Sequence, residues 1–111
     1  MKENQKTLVP GGNRTIELND SFECKLFNGF SYPAEIYLHG KTGGAYVAYF
    51  VEDGQQIPAP QKRGDTIDIY FRMSQFENIS SLLRYSKKKY LNWIEDPNDE
   101  PYAYINGKNT D

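Results

Sequence analysis

The chain has 111 residues, a net charge of −2, 38% hydrophobic and 14% aromatic residues, with nine Tyr, six Phe and one Trp. That length suits one domain with a modest core built from few, large side chains, and the small negative charge excludes capture of a polyanion by bulk electrostatics. A single cysteine, Cys24, excludes an internal disulfide and a cysteine-based zinc site and points to a reducing compartment.

Residues 1–13 are polar, lack signal-peptide character and end in Pro10-Gly11-Gly12, so they read as a mobile N-terminal arm on a cytoplasmic protein. A single domain is expected over 14–105. Thr15 to Leu18 alternates as a short strand, Asn19-Asp20 suits a turn, and Phe22 to Leu26 alternates again with Cys24 on the apolar side. Glu35 to His39 forms the next strand, with Ile36 and Leu38 inward. Gly40-Lys41-Thr42-Gly43-Gly44 then makes a hairpin loop into Ala45 to Val51, which is apolar on both faces and so expected at the centre of a sheet. Asp53-Gly54 is a turn signal, and prolines at 58 and 60 make Gln55 to Gly64 a long loop.

From Thr66 to Met73 the alternation is strict: Ile67, Ile69, Phe71 and Met73 on one face, Thr66, Asp68, Tyr70 and Arg72 on the other. Ser74-Gln75-Phe76-Glu77 has the form of a capping box. Phe76, Ile79, Leu82, Leu83, Tyr90, Trp93 and Ile94 then recur at helical spacing, which predicts one amphipathic helix over about 75–94, ended by Pro97. An acidic loop reaches Pro101, Tyr102 to Ile105 is an expected edge strand able to pair with a second copy, and 106–111 is tail. The fold class is therefore α+β: an antiparallel sheet of about five strands with one long helix on one face.

Several patterns resemble chemistry without completing it. Gly40-Lys41-Thr42 lacks the upstream Gly of a phosphate-binding loop and precedes a strand, so it reads as a turn. Glu23 and Lys25, with Asp20 nearby, have the strand pattern of a metal-dependent nuclease. His39 stands alone at a strand end, and Cys24 and His39 belong to opposite faces, so no hydrolytic pair is expected. Arg63-Gly64-Asp65 and the sequons at Asn13 and Asn78 are chance matches in a cytoplasmic chain. No metal, cofactor or catalytic set is expected.

Two surfaces remain. Tyr37, Tyr46 or Tyr49, Tyr70, Tyr102 and Tyr104 exceed what one small core holds, and Tyr and Arg are enriched at protein-binding hot spots. The leading expectation is a non-enzymatic protein, monomer or homodimer, that occupies a surface of a larger protein, of inhibitor, immunity or phage counter-defence type. Its contact would be Tyr37, Tyr70, Arg72, Tyr102 and Tyr104. The alternative is a nucleic-acid-binding module using Arg84, Tyr85, Lys87, Lys88 and Lys89 on the basic face of the helix. A third reading is the nuclease.

Overall fold

The computed structural model describes residues 12–28 and 32–109. Along the chain run β1 (Arg14–Leu26), β2 (Ala34–Gly40), β3 (Ala45–Val51), β4 (Gln61–Arg63), β5 (Thr66–Arg72), α1 (Phe76–Tyr85), β6 (Lys88–Ile94) and β7 (Tyr102–Lys108). The strands form one sheet in the order β4-β5-β3-β2-β1-β6-β7, antiparallel throughout except for the parallel pair β3 and β5. This corrects the expected fold of about five antiparallel strands under one long helix. The sheet has seven strands and is mixed, and the helix has only ten residues after a 3-10 turn at Met73–Gln75.

The helix stops where its apolar pattern stops. Ile79 and Leu83 are buried, Phe76 meets Phe50 edge-on at 5.0 Å, and then Ser86 and Lys87 leave the next inward positions polar. Ser86 turns extended (φ −75°, ψ 140°) while its N–H still closes on Leu82. From there the chain alternates as a strand: Lys89, Leu91 and Trp93 point inward, Tyr90 and Ile94 outward. Tyr90, Trp93 and Ile94 had fitted a helical arc only because seven- and three-residue steps coincide with that phase. The capping box does not form either. Gln75 precedes α1 without a side-chain cap, and Asp53 Oδ1, from the turn after β3, accepts from Ser74 N–H at 3.2 Å.

β1 is one bent strand, not two strands around a turn. Its first residues pair with β6 and its later ones with β2, and the register slips between Leu18 and Phe22. That bend lets the sheet curl. Lys62, on the edge strand β4, reaches over the Trp93 ring of β6 at 5.4 Å and lies 3.8 Å from Glu95. The inward residues of the curled sheet, with Ile79 and Leu83 of α1, make a single core in which Ala34, Ile36, Ala48, Phe50, Ile67 and Leu91 have no exposed surface.

Three further expectations change. β4 lies within the stretch read as a loop; it pairs with β5, and the segment carrying it makes the crossover that parallel pairing of β3 with β5 requires. The expected tail begins inside β7, which runs to Lys108, while residues 110–111 lie outside the described part. The arm lies outside it up to residue 11, and Asn13 is anchored, its Oδ1 accepting from Glu95 N–H at 2.9 Å. No described helix is long and apolar enough to cross a membrane.

Candidate functional site

The outward residues of β1, β2, β3 and β5 share one face, opposite the core. Register places Lys25 beside Glu35, Glu35 beside Tyr49 and Tyr49 beside Tyr70 in one row, and Glu23, Tyr37, Val47 and Asp68 in the next. The Tyr49 and Tyr70 rings lie nearly parallel, 5.2 Å apart, and Tyr32, from the segment before β2, leans on both at 5.0 and 6.0 Å. All three are half-buried. Beside them the Tyr37 hydroxyl donates to Glu35 Oε1 at 2.7 Å, and the Lys25 ammonium sits 4.6 Å from the Tyr37 ring centre.

Asp68 lies within this face, on the side of β5 that the alternation places away from the core. It is nonetheless only 4% exposed, because β4 adds a neighbour on its far side and Arg63 from that strand closes over it. Arg63 donates to Asp68 Oδ2 from Nε at 3.1 Å and from a terminal nitrogen at 2.6 Å. Oδ1 has no hydrogen-bond partner, the one buried side-chain polar atom so placed among the described residues. A buried acceptor without a donor costs on the order of 1–3 kcal/mol.

These groups tune one another. Its hydrogen bond to Glu35, then burial and the carboxylate's charge, push Tyr37 up to about 12 from its ordinary 10. Burial raises Tyr49 and Tyr70, and the negative charge of Asp68 adds to both. The bond and charge of Asp68 raise Arg63. Tyr37, Tyr49 and Tyr70 are thus held in their neutral form, presenting ring surface and hydroxyls beside carboxylates.

Of the expected contact residues, the structure brings Tyr37 and Tyr70 onto this face. Arg72 lies further along β5, its guanidinium held to the Gln55 carbonyl at 3.1 Å. Tyr102 and Tyr104 do not join them: β7 is the edge of the sheet opposite β4, three, four and five places from β2, β3 and β5 in its order. Tyr49 and Tyr32 were missed as partners of Tyr70. Strand parity assigns Tyr49 outward once Tyr46 and Phe50 are recognised as the inward pair, whereas Tyr32 belongs to no periodic segment.

The basic run is divided. Arg84 and Tyr85 end α1, Lys87 is in the connection, Lys88 opens β6, and Lys89 points into the protein, 3% exposed and 2.6 Å from Asp20 Oδ1. A single basic helix face therefore does not exist. Of the nuclease-like set Asp20, Glu23 and Lys25, Asp20 is committed to this ion pair, whereas Glu23 and Lys25 lie on the outer surface opposite Tyr37 and Glu35. Among the described residues no three His, Cys, Asp or Glu side chains are grouped to hold a metal ion.

Cys24 is exposed, against expectation, because β1 outruns the layer covering its inward side. Phe22 is half-buried, Cys24 exposed and Leu26 71% exposed. The Gly40–Gly44 segment is a hairpin, with φ of 111° at Gly43 and 95° at Gly44, conformations that side chains with a Cβ rarely adopt. With Arg14, Glu17 and Asp65 it borders a depression of about 720 Å³, in which Lys41 pairs with Glu17 at 3.2 Å. No protein-family model, curated protein or solved structure matches the chain.

Proposed function

We propose that the protein is a small non-enzymatic binding protein that occupies a surface of a larger protein, using the outer face of β2, β3 and β5. The observation that carries this reading is the contiguous Tyr32–Tyr49–Tyr70 surface. Tyrosines contribute large contact area at small entropic cost, and the helix leaves this side of the sheet open. Cross-strand aromatic pairing stabilises a sheet without any partner. It does not account for Tyr32, which comes from outside the strands.

The chemistry of the face defines its partner. Glu23 and Glu35 supply acceptors, and the ring faces attract cations, so the partner surface carries Lys or Arg donors. Occupation of that surface would suffice for an inhibitor or immunity role.

The test is comparative capture from native host extract with three forms of the chain: unaltered, Tyr49→Ala/Tyr70→Ala, and Tyr102→Ala/Tyr104→Ala. The reading expects one protein at fixed stoichiometry with the unaltered and the β7 forms, and its loss with the β3/β5 form, all three keeping the same circular dichroism. Equal capture by all three removes this face from consideration.

A further inference from the structure

The outer face at the other end of the sheet holds a second, chemically different cleft of about 220 Å³, bounded by Thr15, Tyr90, Asn92, Tyr104, Asn106 and Lys108. Its floor is built. Asn92 is 6% exposed; its Oδ1 accepts from the Thr15 hydroxyl at 3.0 Å and its amide nitrogen donates to Asn106 Oδ1 at 2.7 Å. This chain consumes both amide oxygens as acceptors. The Asn106 amide hydrogens and the Tyr90 and Tyr104 hydroxyls, on residues that border the cleft, donate to no other side chain among the described residues. The floor thus offers donors, which suits a ligand rich in acceptor oxygens.

The rim adds charge of one sign. Lys108 lies 5.5 Å from the Tyr90 ring centre, and Lys88 pairs with Lys108 directly across the β6–β7 ladder. Like charges opposite each other in a sheet are destabilising. Neither lysine is in an ion pair among the described residues, where Lys41, Lys62, Arg63 and Lys89 all have carboxylate partners. An anion between Lys88 and Lys108 would turn that repulsion into binding energy.

Beyond the lysines, Tyr104 and Tyr102 follow at alternate positions of β7, 45% and 54% exposed, their side chains roughly 7 Å apart along the strand. Lys108 covers Tyr90, so Tyr104 offers the open ring nearest the cleft. Next to Tyr102, however, comes the acidic segment with Asp96, Asp99 and Glu100, which repels an anion. The field therefore fixes a polarity: anion at the Lys88–Lys108 end, planar ring over Tyr104, and little room for further phosphates.

We propose that this cleft binds a nucleoside phosphate, its phosphate between Lys88 and Lys108, its base stacked on Tyr104 and hydrogen-bonded by Asn106. The ligand is either a free nucleotide or one end of a single strand. Stacking on exposed aromatics with flanking cations is how single strands are held without helical grooves. This site shares no residue with the aromatic face proposed above, so either can fail without the other.

The test follows the side-chain amide signals of Asn92 and Asn106 by NMR at low salt. Inorganic phosphate, a nucleoside monophosphate and a short oligodeoxythymidine are titrated in turn. The expected result is saturable shifts of both amides with a nucleotide-bearing probe. Affinity should fall roughly 5- to 150-fold in Tyr104→Ala, fall further in Lys108→Glu, and, for the oligonucleotide, decline with salt at a log–log slope of about −0.7 per phosphate held. Binding of the oligonucleotide but not the monophosphate identifies a strand end as the ligand; binding of both identifies the nucleotide itself. The proposal is overturned if none of the probes shifts the amides. It is equally overturned if inorganic phosphate binds as tightly as the nucleotide, or if Tyr104→Ala and Lys108→Glu, folded by circular dichroism, leave affinity unchanged.

Discussion

Lys89 Nζ and Asp20 Oδ1 meet at 2.6 Å across 69 residues of sequence, and the two sides of this bond live in different solvents. The Lys89 side chain is 4% exposed and the Asp20 side chain 84% exposed. Asp20 belongs to the slipped stretch of β1 between Leu18 and Phe22, so the ion pair ties the bend of the sheet to β6.

That asymmetry predicts unequal mutants. Asp20→Ala strands a buried ammonium, whereas Lys89→Met leaves a carboxylate already in water. Thermal unfolding should show a larger drop in Tm for Asp20→Ala than for Lys89→Met. The bond and charge of Lys89 also hold Asp20 below its ordinary value of 3.8. A lowered folded value means the contribution is present above 3.8 and is lost as pH falls through the folded value. The gap between the unaltered chain and Lys89→Met should therefore close in strongly acidic solution. Equal Tm losses at neutral pH would contradict the asymmetry.

Tyr37 supplies a second pH signature at the other extreme. Bonded to Glu35, it ionises at about 12 where an unperturbed tyrosine would at 10. Its folded value is raised, so its contribution to stability is present below 10 and disappears as pH climbs through about 12. An ultraviolet titration of the folded chain should show late ionisations from Tyr37, Tyr49 and Tyr70, and Tyr37→Phe should remove the one at about 12. In Glu35→Gln, with the charge removed, that ionisation should move back toward 10. An unchanged curve in both variants would show that the bond does not form in solution.

What was legible in the sequence followed from period. The strands around Ile36 and Leu38 and around Ile67 and Ile69 could be read because one residue in two is apolar there, and that parity also put Tyr37 and Tyr70 on the outer side; the strand around Ala48 and Phe50 was legible as an unbroken apolar run. The start of α1 was legible and its end was not, since Tyr90 and Trp93 kept helical phase across a connection marked only by Ser86 and Lys87. Leu91, buried yet unused by the helical reading, was the available warning. Parallel pairing of β3 with β5 and the burial of Asp68 by β4 depend on neighbours distant in sequence, for which no local pattern exists. The β6–β7 cleft was invisible for the same reason: its floor joins Thr15, Asn92 and Asn106 from three strands.

Leu91 provides a test of the corrected β6. It has no exposed surface, while Ile94 on the same strand is only half-buried. Leu91→Ala should cost about 2–5 kcal/mol by denaturant unfolding, as for other buried leucines. Ile94→Ala should cost clearly less. Were the segment still helical, Ile94 would be the more damaging site, because it fell within the apolar arc and Leu91 did not.

The junction between helix and edge strand can be probed at Gly107. It pairs with Lys89 in the β6–β7 ladder, and a Cβ built there would overlap Ser86 Oγ and approach Ser86 Cβ to 2.6 Å and a Leu82 methyl to 3.3 Å. Backbone strain is not the reason for glycine here, since Gly107 is not among the positive-φ glycines. The reason is space: Ser86 is the residue at which α1 turns into β6, so β7 must pass close to it. Gly107→Ala should therefore destabilise by about 1–3 kcal/mol, the usual cost of forcing an extra methyl into a packed position. Ser86→Gly removes both of the closest atoms and should restore much of that loss in the double variant, although Ser86→Gly alone lowers stability. A double-mutant cycle by urea unfolding measures this coupling, and simple additivity of the two changes would mean that β7 does not run against the end of the helix.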